Sequence, residues 1–382
     1  MYSIPAYGSM IADQVRMQAY AQALRQAVRS GSVVVDVGTG TGIIALLACQ
    51  FGARRVYAIE PDDSIQVARE TAIANGYGEK IEFIQDFSTR VKLPEQCDVM
   101  VSDLRGVLPP FEHHILAVVD ARRRFLAPAG VLIPQRDTLW AAVVEAPEAY
   151  GRRVGPWSIN GYSFDLRPAQ RMASNSWGRE RLRPEQLLAQ PSCWATLEYA
   201  TVESPDIDGE FRCTITRAGT AHGLLIWFDA TLADGVGFSN SPYAPETIYG
   251  GAFFPWSEPV ELAPGETVTV ALKADLVGED YIWRWDTHIL DGAQPGLVKA
   301  SFRQSTFFGA AVSAARLLRR ASTYLPVLSE DGQIDQSILA LMDGVSSLEE
   351  IARRVAARFP ARFPKWEDAL IRVAELSEKY SR

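Results

Sequence analysis

The 382-residue sequence predicts an α/β domain on a parallel sheet, then an all-β domain with a helical insertion, then a small helical unit. Three observations carry this reading. The run VVVDVGTGTGIIALLA (Val33–Ala48) sets a strand buried on both faces directly before three glycines and a helix. Strand and helix patterns then alternate over residues 33–140, which calls for a parallel sheet covered on both sides. After Pro134 the helical period is lost, and alternating segments rich in β-branched and aromatic residues follow.

Taken in order, residues 9–27 read as one helix, with Met10, Val15, Ala19, Ala23 and Ala27 near one face. Strands are predicted at 33–37, 55–60, 81–84, 98–102 and 130–134, and helices at 43–51, 62–75 and 112–125. The segments TLWAAVVE, CWATLEYATV, GLLIWFDATL and ETVTVALKADL, parted by Gly, Pro and Asp turns, are strands of the second domain. The polar, arginine-bearing piece 165–190 reads as a helical insertion in it. Residues 325–382 read as a short β-hairpin around Asp331–Gly332 and two or three helices, one opened by the capping box Ser347–Glu350. The expected domains are 1–134, 135–307 and 308–382.

A net charge of −8 gives no general drive toward nucleic acid or an anionic membrane. The cysteines (Cys49, Cys97, Cys193, Cys213) have neither metal-ligand spacing nor a disulfide framework, so no metal is expected. No signal peptide and no membrane-spanning apolar run is seen, which makes the cytoplasm the expected location.

A strand, a glycine turn and a helix N-terminus together form a nucleotide-type ligand site. Asp36 lies at the end of the strand, and Gly38, Thr39, Gly40 and Gly42 form the turn. Glu60 ends the next apolar strand, VYAIE, where an acid can accept from both hydroxyls of a ribose. The carboxyl edge of the sheet, where α/β sheets bind ligands, also receives Asp86 and Asp103. Asp86, after strand IEFI, either accepts from an adenine amine or is a plain turn aspartate. The glycine spacing is G-x-G-x-G, tighter than the dinucleotide fingerprint.

That tighter form resembles motif I of class I methyltransferases, which bind S-adenosylmethionine on a Rossmann-like sheet. Over about residues 7–300 the chain resembles the protein arginine methyltransferases. The motifs are D-Q-V-R-M-Q-A-Y (Asp13–Tyr20), D-V-G-T-G-T-G-I, G-V-L-I-P-Q-R-D-T-L-W (Gly130–Trp140) and G-F-S-N-S-P (Gly237–Pro242). The resemblance implies an all-β barrel after the sheet, and a homodimer joined head to tail through an arm at 165–190, entered by G-Y-S-F-D (Gly161–Asp165). It implies a cofactor site of Met10, Arg16, Asp36, Gly38, Thr39, Gly40, Gly42, Glu60 and Asp86, with Arg16 on the methionyl carboxylate. It also implies a pair of catalytic acids that clamp a guanidinium, Asp103 and Glu112, in S-D-L-R-G-V-L-P-P-F-E.

Against the family pattern, Asp103 is one methylene short, and Arg105 either neutralises it or repels a substrate guanidinium. Ile248 stands where the family has a histidine, so a side-chain bond to an acid is lost, and the family's tyrosine cap over the cofactor is missing or supplied otherwise. The expected function is S-adenosylmethionine-dependent methylation of an arginine or another side chain of a protein or peptide. The alternatives are a small-metabolite acceptor and a non-catalytic S-adenosylmethionine-binding scaffold. The stretch Ile338–Ala352 resembles the start of the helical part of PqqD-like peptide-recognition domains, with a generic winged-helix or helical cap as the other reading.

Overall fold

The computed structural model describes residues 2–158, 163–292, 294 and 297–381. Two compact units divide the chain, Met1–Ala311 and Val312–Arg382.

The first unit begins with two helices where one was expected, α1 (Ile4–Ala12) and α2 (Gln14–Ala27). Asp13 parts them because its carboxylate caps α2, accepting from the Arg16 N–H at 3.0 Å. The buried stripe of α2 is Arg16, Ala19, Tyr20, Ala23 and Leu24, one face of a helix. The chain then builds β1 (Val33–Val37), α3 (Ile43–Gln50), β2 (Arg55–Ile59), α4 (Ser64–Ala74), β3 (Ile81–Ile84), β4 (Cys97–Ser102), α5 (His114–Phe125) and β5 (Leu126–Ile133). The strands form one parallel sheet in the order β3-β2-β1-β4-β5. Every residue of β1 is buried, which is why its sequence is an almost unbroken apolar run. The strand order reverses between β1 and β4, so the loops that follow these two strands flank the ligand crevice.

The all-β part comprises β6 (Arg136–Val144), α6 (Pro147–Arg153), α7 (Arg167–Ser174), β7 (Gly178–Glu180), β8 (Ser192–Glu198), β9 (Ile207–Thr214), β10 (Gly219–Ala233), β11 (Val236–Ser239), β12 (Gly251–Leu262), β13 (Thr267–Val277), β14 (Asp280–Leu290), β15 (Val298–Ser305) and α8 (Thr306–Gly309). Its strands fall into two antiparallel sheets, β7-β12-β10-β6-β8 with β11 beside β10, and β15-β14-β13-β9. Aromatic side chains join the sheets. Phe254 on β12 lies 5.3 and 5.1 Å, ring to ring, from Trp283 and Trp285 on β14, and Trp256 lies 5.7 Å from Phe302. The stripe of α2 packs on β10 and β11, which ties the N-terminal helix to this part.

The insertion 165–190 is α-helical over α7 and makes one further 3-10 turn at Pro184–Gln186. Trp177 stacks on Phe254 at 5.7 Å, and the following residues join the sheet as β7, paired with β12. Gly161 and Tyr162 of the G-Y-S-F-D motif lie outside the described residues.

The second unit contains α9 (Ala314–Leu318), α10 (Glu330–Leu341), α11 (Leu348–Arg358) and α12 (Trp366–Tyr380). Ile334, Ile338, Ile351, Val355, Val373 and Leu376 form its core. The expected hairpin around Asp331–Gly332 is instead the first turn of α10, because the Ser329 side chain accepts the Gly332 N–H and caps a helix there. The capping box of Ser347 and Glu350 forms as predicted. The described residues of this unit contain no strand.

Gly223 sits at a bulge between β10 and β12 with φ +153°, and a Cβ there would lie 2.1 Å from the Phe254 carbonyl oxygen. Backbone cannot yield as a side-chain tip can. Gly223→Ala is expected to cost about 1–3 kcal/mol, read as a lower midpoint in chemical denaturation.

Candidate active site

The glycine turn is held open by backbone conformation. Gly38, Gly40 and Gly42 have φ of +76°, +54° and +86°, which side-chain-bearing residues rarely adopt. A Cβ on Gly38 would lie 2.2 Å from the Leu104 side chain, and one on Gly40 would lie 2.5 Å from the Tyr7 ring. The turn is therefore bare main chain, walled by the loop after β4 and roofed by α1. Tyr7 is held there by its hydroxyl, 3.3 Å from Ser64 Oγ, and by the edge of Tyr2 at 5.9 Å. An aromatic cover over the turn is thus supplied by α1 itself.

Asp36 is buried beside the turn and accepts the Thr39 hydroxyl at 2.6 Å. Both residues shape the turn from within. Burial pushes the Asp36 carboxyl up to about 7, against the Thr39 hydrogen bond. Glu60 accepts the Gly40 N–H at 2.9 Å on one oxygen and the Asp62 N–H at 3.0 Å on the other. Burial raises its pKa and these two bonds oppose the rise. Each oxygen keeps a lone pair. Asp86 stands apart from this group. It is half-buried, accepts its neighbour Phe87 N–H at 2.8 Å and lies 3.8 Å from Arg90.

Arg16 reaches the loop after β4. Its Nε donates to Asp103 Oδ2 at 2.5 Å and to the Tyr249 hydroxyl at 3.3 Å. Its Nη1 meets the Met10 carbonyl at 3.3 Å, which places Met10 beside it through the main chain. Nη2 has no partner among the described residues.

Asp103 is enclosed by donors. Tyr249 donates to Oδ2 at 2.6 Å, and Arg105 Nη1 donates to Oδ1 at 2.9 Å. Arg105 is in turn held bidentately by Asp137 at 2.7 and 3.0 Å, with both side chains 0% exposed. The Tyr20 and Tyr199 hydroxyls complete this cluster, at 2.8 Å from Arg105 and 2.6 Å from Asp137. Burial works against ionisation of Asp103, but Arg16 and Arg105 outweigh it and hold the carboxyl at about 2. Arg105 thus pairs with Asp103 on one side and with Asp137 on the other.

Glu112 is the opposite case. It is exposed, has φ +42°, and makes no hydrogen bond or ion pair among the described residues. Burial raises the Tyr2 phenol, and the charges of Glu112 and Asp103 raise it further.

Ile248 contributes to the site through its main chain. Its side chain cannot bond an acid, but its backbone N–H donates to Asp13 Oδ2 at 2.7 Å. Sequence reasoning also missed Asp137, Tyr199 and Tyr249. Asp137 lies within the quoted segment Gly130–Trp140, but nothing in that segment marks its pairing with Arg105, and Tyr199 and Tyr249 are distant from the loop in sequence.

The arrangement fits a ligand that has both a carboxylate and vicinal hydroxyls. Arg16 Nη2 is a free cationic donor, Glu60 has spare acceptor capacity, and the bare turn between them would be filled by any Cβ.

Comparisons with known proteins accord with this geometry. Residues 135–278 match the family described as arginine methyltransferase oligomerization subdomain, and residues 18–146 match that of ribosomal protein L11 methyltransferase. Protein arginine N-methyltransferase 6 of Danio rerio is 30% identical over 259 residues, 64% of this chain and 74% of the relative. The chain belongs to the protein arginine methyltransferase family. Another member, human protein arginine N-methyltransferase 2, is 31% identical over 72% of this chain. The chain spans 66% of that human relative and 55% of one from Arabidopsis thaliana. Two solved members share the fold at TM-score 0.70. These are Arabidopsis thaliana protein arginine methyltransferase 10, at 23% identity over 79% of this chain and 97% of that one, and the Trypanosoma brucei PRMT1 enzyme–prozyme heterotetrameric complex, at 21% identity over 78% and 96%.

The raised Asp36 carboxyl has a consequence for stability. Between its ordinary 3.8 and about 7 the folded protein holds a proton that the unfolded chain has released. Stability therefore falls as pH rises through that window and levels off above it. Asp36→Asn is expected to remove this part of the slope, measured by denaturation of parent and variant from pH 4 to 8.

Proposed function

We propose that the chain transfers a methyl group from S-adenosylmethionine to an arginine side chain of a protein or peptide. The observation that carries the reading is the loop after β4, where Leu104 packs on Gly38 of the glycine turn, Asp103 accepts from Arg16, Arg105 and Tyr249, and Glu112 stands exposed with no hydrogen bond or ion pair among the described residues. S-adenosylmethionine, when bound, supplies a methyl carbon already made electrophilic by its sulfonium.

The chain's own work is then binding and alignment. Arg16 Nη2 takes the methionyl carboxylate as a charge-assisted hydrogen bond. Glu60 takes the ribose hydroxyls with its remaining lone pairs. The main chain at Gly38, Thr39, Gly40 and Gly42, shaped by Asp36, admits the ligand closely; Met10 lines the same site, and Asp86 is the adenine acceptor in this reading. Glu112 meets the guanidinium with two free oxygens, and Asp103 orients it. Together they draw charge onto the nitrogens they hold and leave the lone pair of the reacting nitrogen directed at the donor. The names of the relatives, all protein arginine N-methyltransferases, support the same acceptor.

In this reading residues 1–134 bind the cofactor, 135–307 complete the acceptor site and carry the arm, and 308–382 form a separate helical unit. Pairing of two copies through 165–190 is supported by the oligomerization-subdomain match and by the assembly of the Trypanosoma relative. Reduced, scattered cysteines favour a cytoplasmic setting. No described helix is long and apolar enough to cross a membrane. A second reading, a non-arginine acceptor on the same scaffold, is favoured by one contact, that of Arg105 on Asp103.

Glu60→Ala is expected to weaken S-adenosylmethionine binding by about 1–3 kcal/mol, measured by calorimetry. No binding by the parent protein would sink the cofactor assignment. Glu112→Gln is expected to abolish methyl transfer to arginine peptides with cofactor affinity nearly unchanged. Full activity in that variant would remove Glu112 from the site. Light scattering of the intact chain at micromolar concentration tests the dimer, and a monomer there would refute the arm assignment.

A further inference from the structure

The chain carries an arginine of its own inside the acceptor site. Arg105 lies in the loop between the two acids, is 0% exposed, and places one guanidinium nitrogen 2.9 Å from Asp103 Oδ1. It is not free to leave. Asp137 holds its Nε and Nη2, the Tyr20 hydroxyl shares its Nη1, and the rings of Phe228 and Phe238 lie 5.5 and 5.9 Å away.

Asp103 Oδ2 is meanwhile taken by Arg16 and Tyr249. A carboxylate offers about four lone-pair sites, and three are filled by the protein itself. One is left, on Oδ1, beside a fixed positive charge. An incoming guanidinium therefore cannot engage Asp103 with two parallel N–H bonds, the geometry that makes such pairs strong. Glu112, with nothing bound among the described residues, can.

Resting on the arginine reading above, we propose that Arg105 is a specificity-determining residue: it occupies the guanidinium position of Asp103 and leaves capture of the acceptor to Glu112. The pair of Arg105 and Asp137 has no net formal charge. Its removal would thus leave the charge of the site unaltered and change only how much of Asp103 is available.

The test is the double variant Arg105→Met with Asp137→Asn, which avoids an unpaired buried charge. Arg105→Lys serves as a second variant, keeping the charge beside Asp137 while losing the planar fork that spans both acids. The probe is a short peptide with one arginine, its alanine counterpart being the control, titrated by calorimetry with saturating S-adenosylhomocysteine present. Binding, not turnover, is the primary readout.

Expected is an affinity for the arginine peptide about five- to tenfold tighter in the double variant, a smaller gain in Arg105→Lys, and unchanged S-adenosylhomocysteine affinity in both. The gain should vanish when Asp103→Asn is added, which a merely structural role for Arg105 would not predict. Unchanged or weaker peptide binding in whichever variant folds would overturn the proposal, as would binding of the arginine and alanine peptides with equal affinity. If the parent protein binds the arginine peptide yet transfers no methyl group, the proposed activity fails, while the role of Arg105 still stands or falls by the affinities.

Discussion

Two arginines and two aspartates, Arg16, Arg105, Asp103 and Asp137, meet out of water where α2, the loop after β4 and the strand β6 converge. Their formal charges cancel, and the hydroxyls of Tyr20, Tyr199 and Tyr249 take up remaining hydrogen-bonding capacity. Losing one partner of such a buried pair costs about 3–5 kcal/mol, because the other is left uncompensated. The cluster therefore holds as a unit, and it fixes the loop after β4 against both the N-terminal helix and the all-β part. Leu104, one residue from Asp103, packs on Gly38, so the position of that loop also sets one wall of the glycine turn.

The two acids of the loop consequently have different physical characters. Asp103 is a rigid acceptor, ionised far below neutral pH because two guanidinium groups outweigh its burial. Glu112 is exposed, held on a strained backbone, and surrounded by no partner among the described residues. Rigidity and free capacity are thus divided between them. The loop at Thr247–Tyr249 shows a related substitution of one group for another. The side chain of Ile248 offers no hydrogen bond, yet its backbone N–H supplies one to Asp13, and the Tyr249 hydroxyl supplies another to Asp103. Asp13 thereby serves twice, as the cap of α2 and as the anchor of that loop. The break between α1 and α2 follows from the capping role, and it frees α1 to lie over the turn with Tyr7 on Gly40.

Local pattern made much of this legible. The strand at 33–37 follows directly from burial on both faces and the helix after Gly42 from the glycine spacing, and the strand at 81–84 forms at its predicted bounds. Where prediction and structure part, one capping side chain decided the outcome. Asp13 split a helix whose apolar period runs on without a break, and Ser329 began a helix at a position whose Asp–Gly pair reads as a hairpin turn. A cap and a turn use the same residue types, and only the packing of the apolar residues that follow distinguishes them. The insertion at 165–190 was read as helical from its polarity, but Trp177 drew its second half onto β12.

The sequence by itself determined the ligand edge: a bare glycine turn, Glu60 at the end of the next strand and two acids in the loop after β4 are all set by short-range spacing on a parallel sheet. The tertiary structure alone decided what those groups bind within the protein. Arg105 meets Asp137 across 32 residues, and Asp13 meets Ile248 across 235. Which buried charges become partners depends on where folding leaves them without water, and that environment is assembled from distant segments. No periodicity along the chain records it.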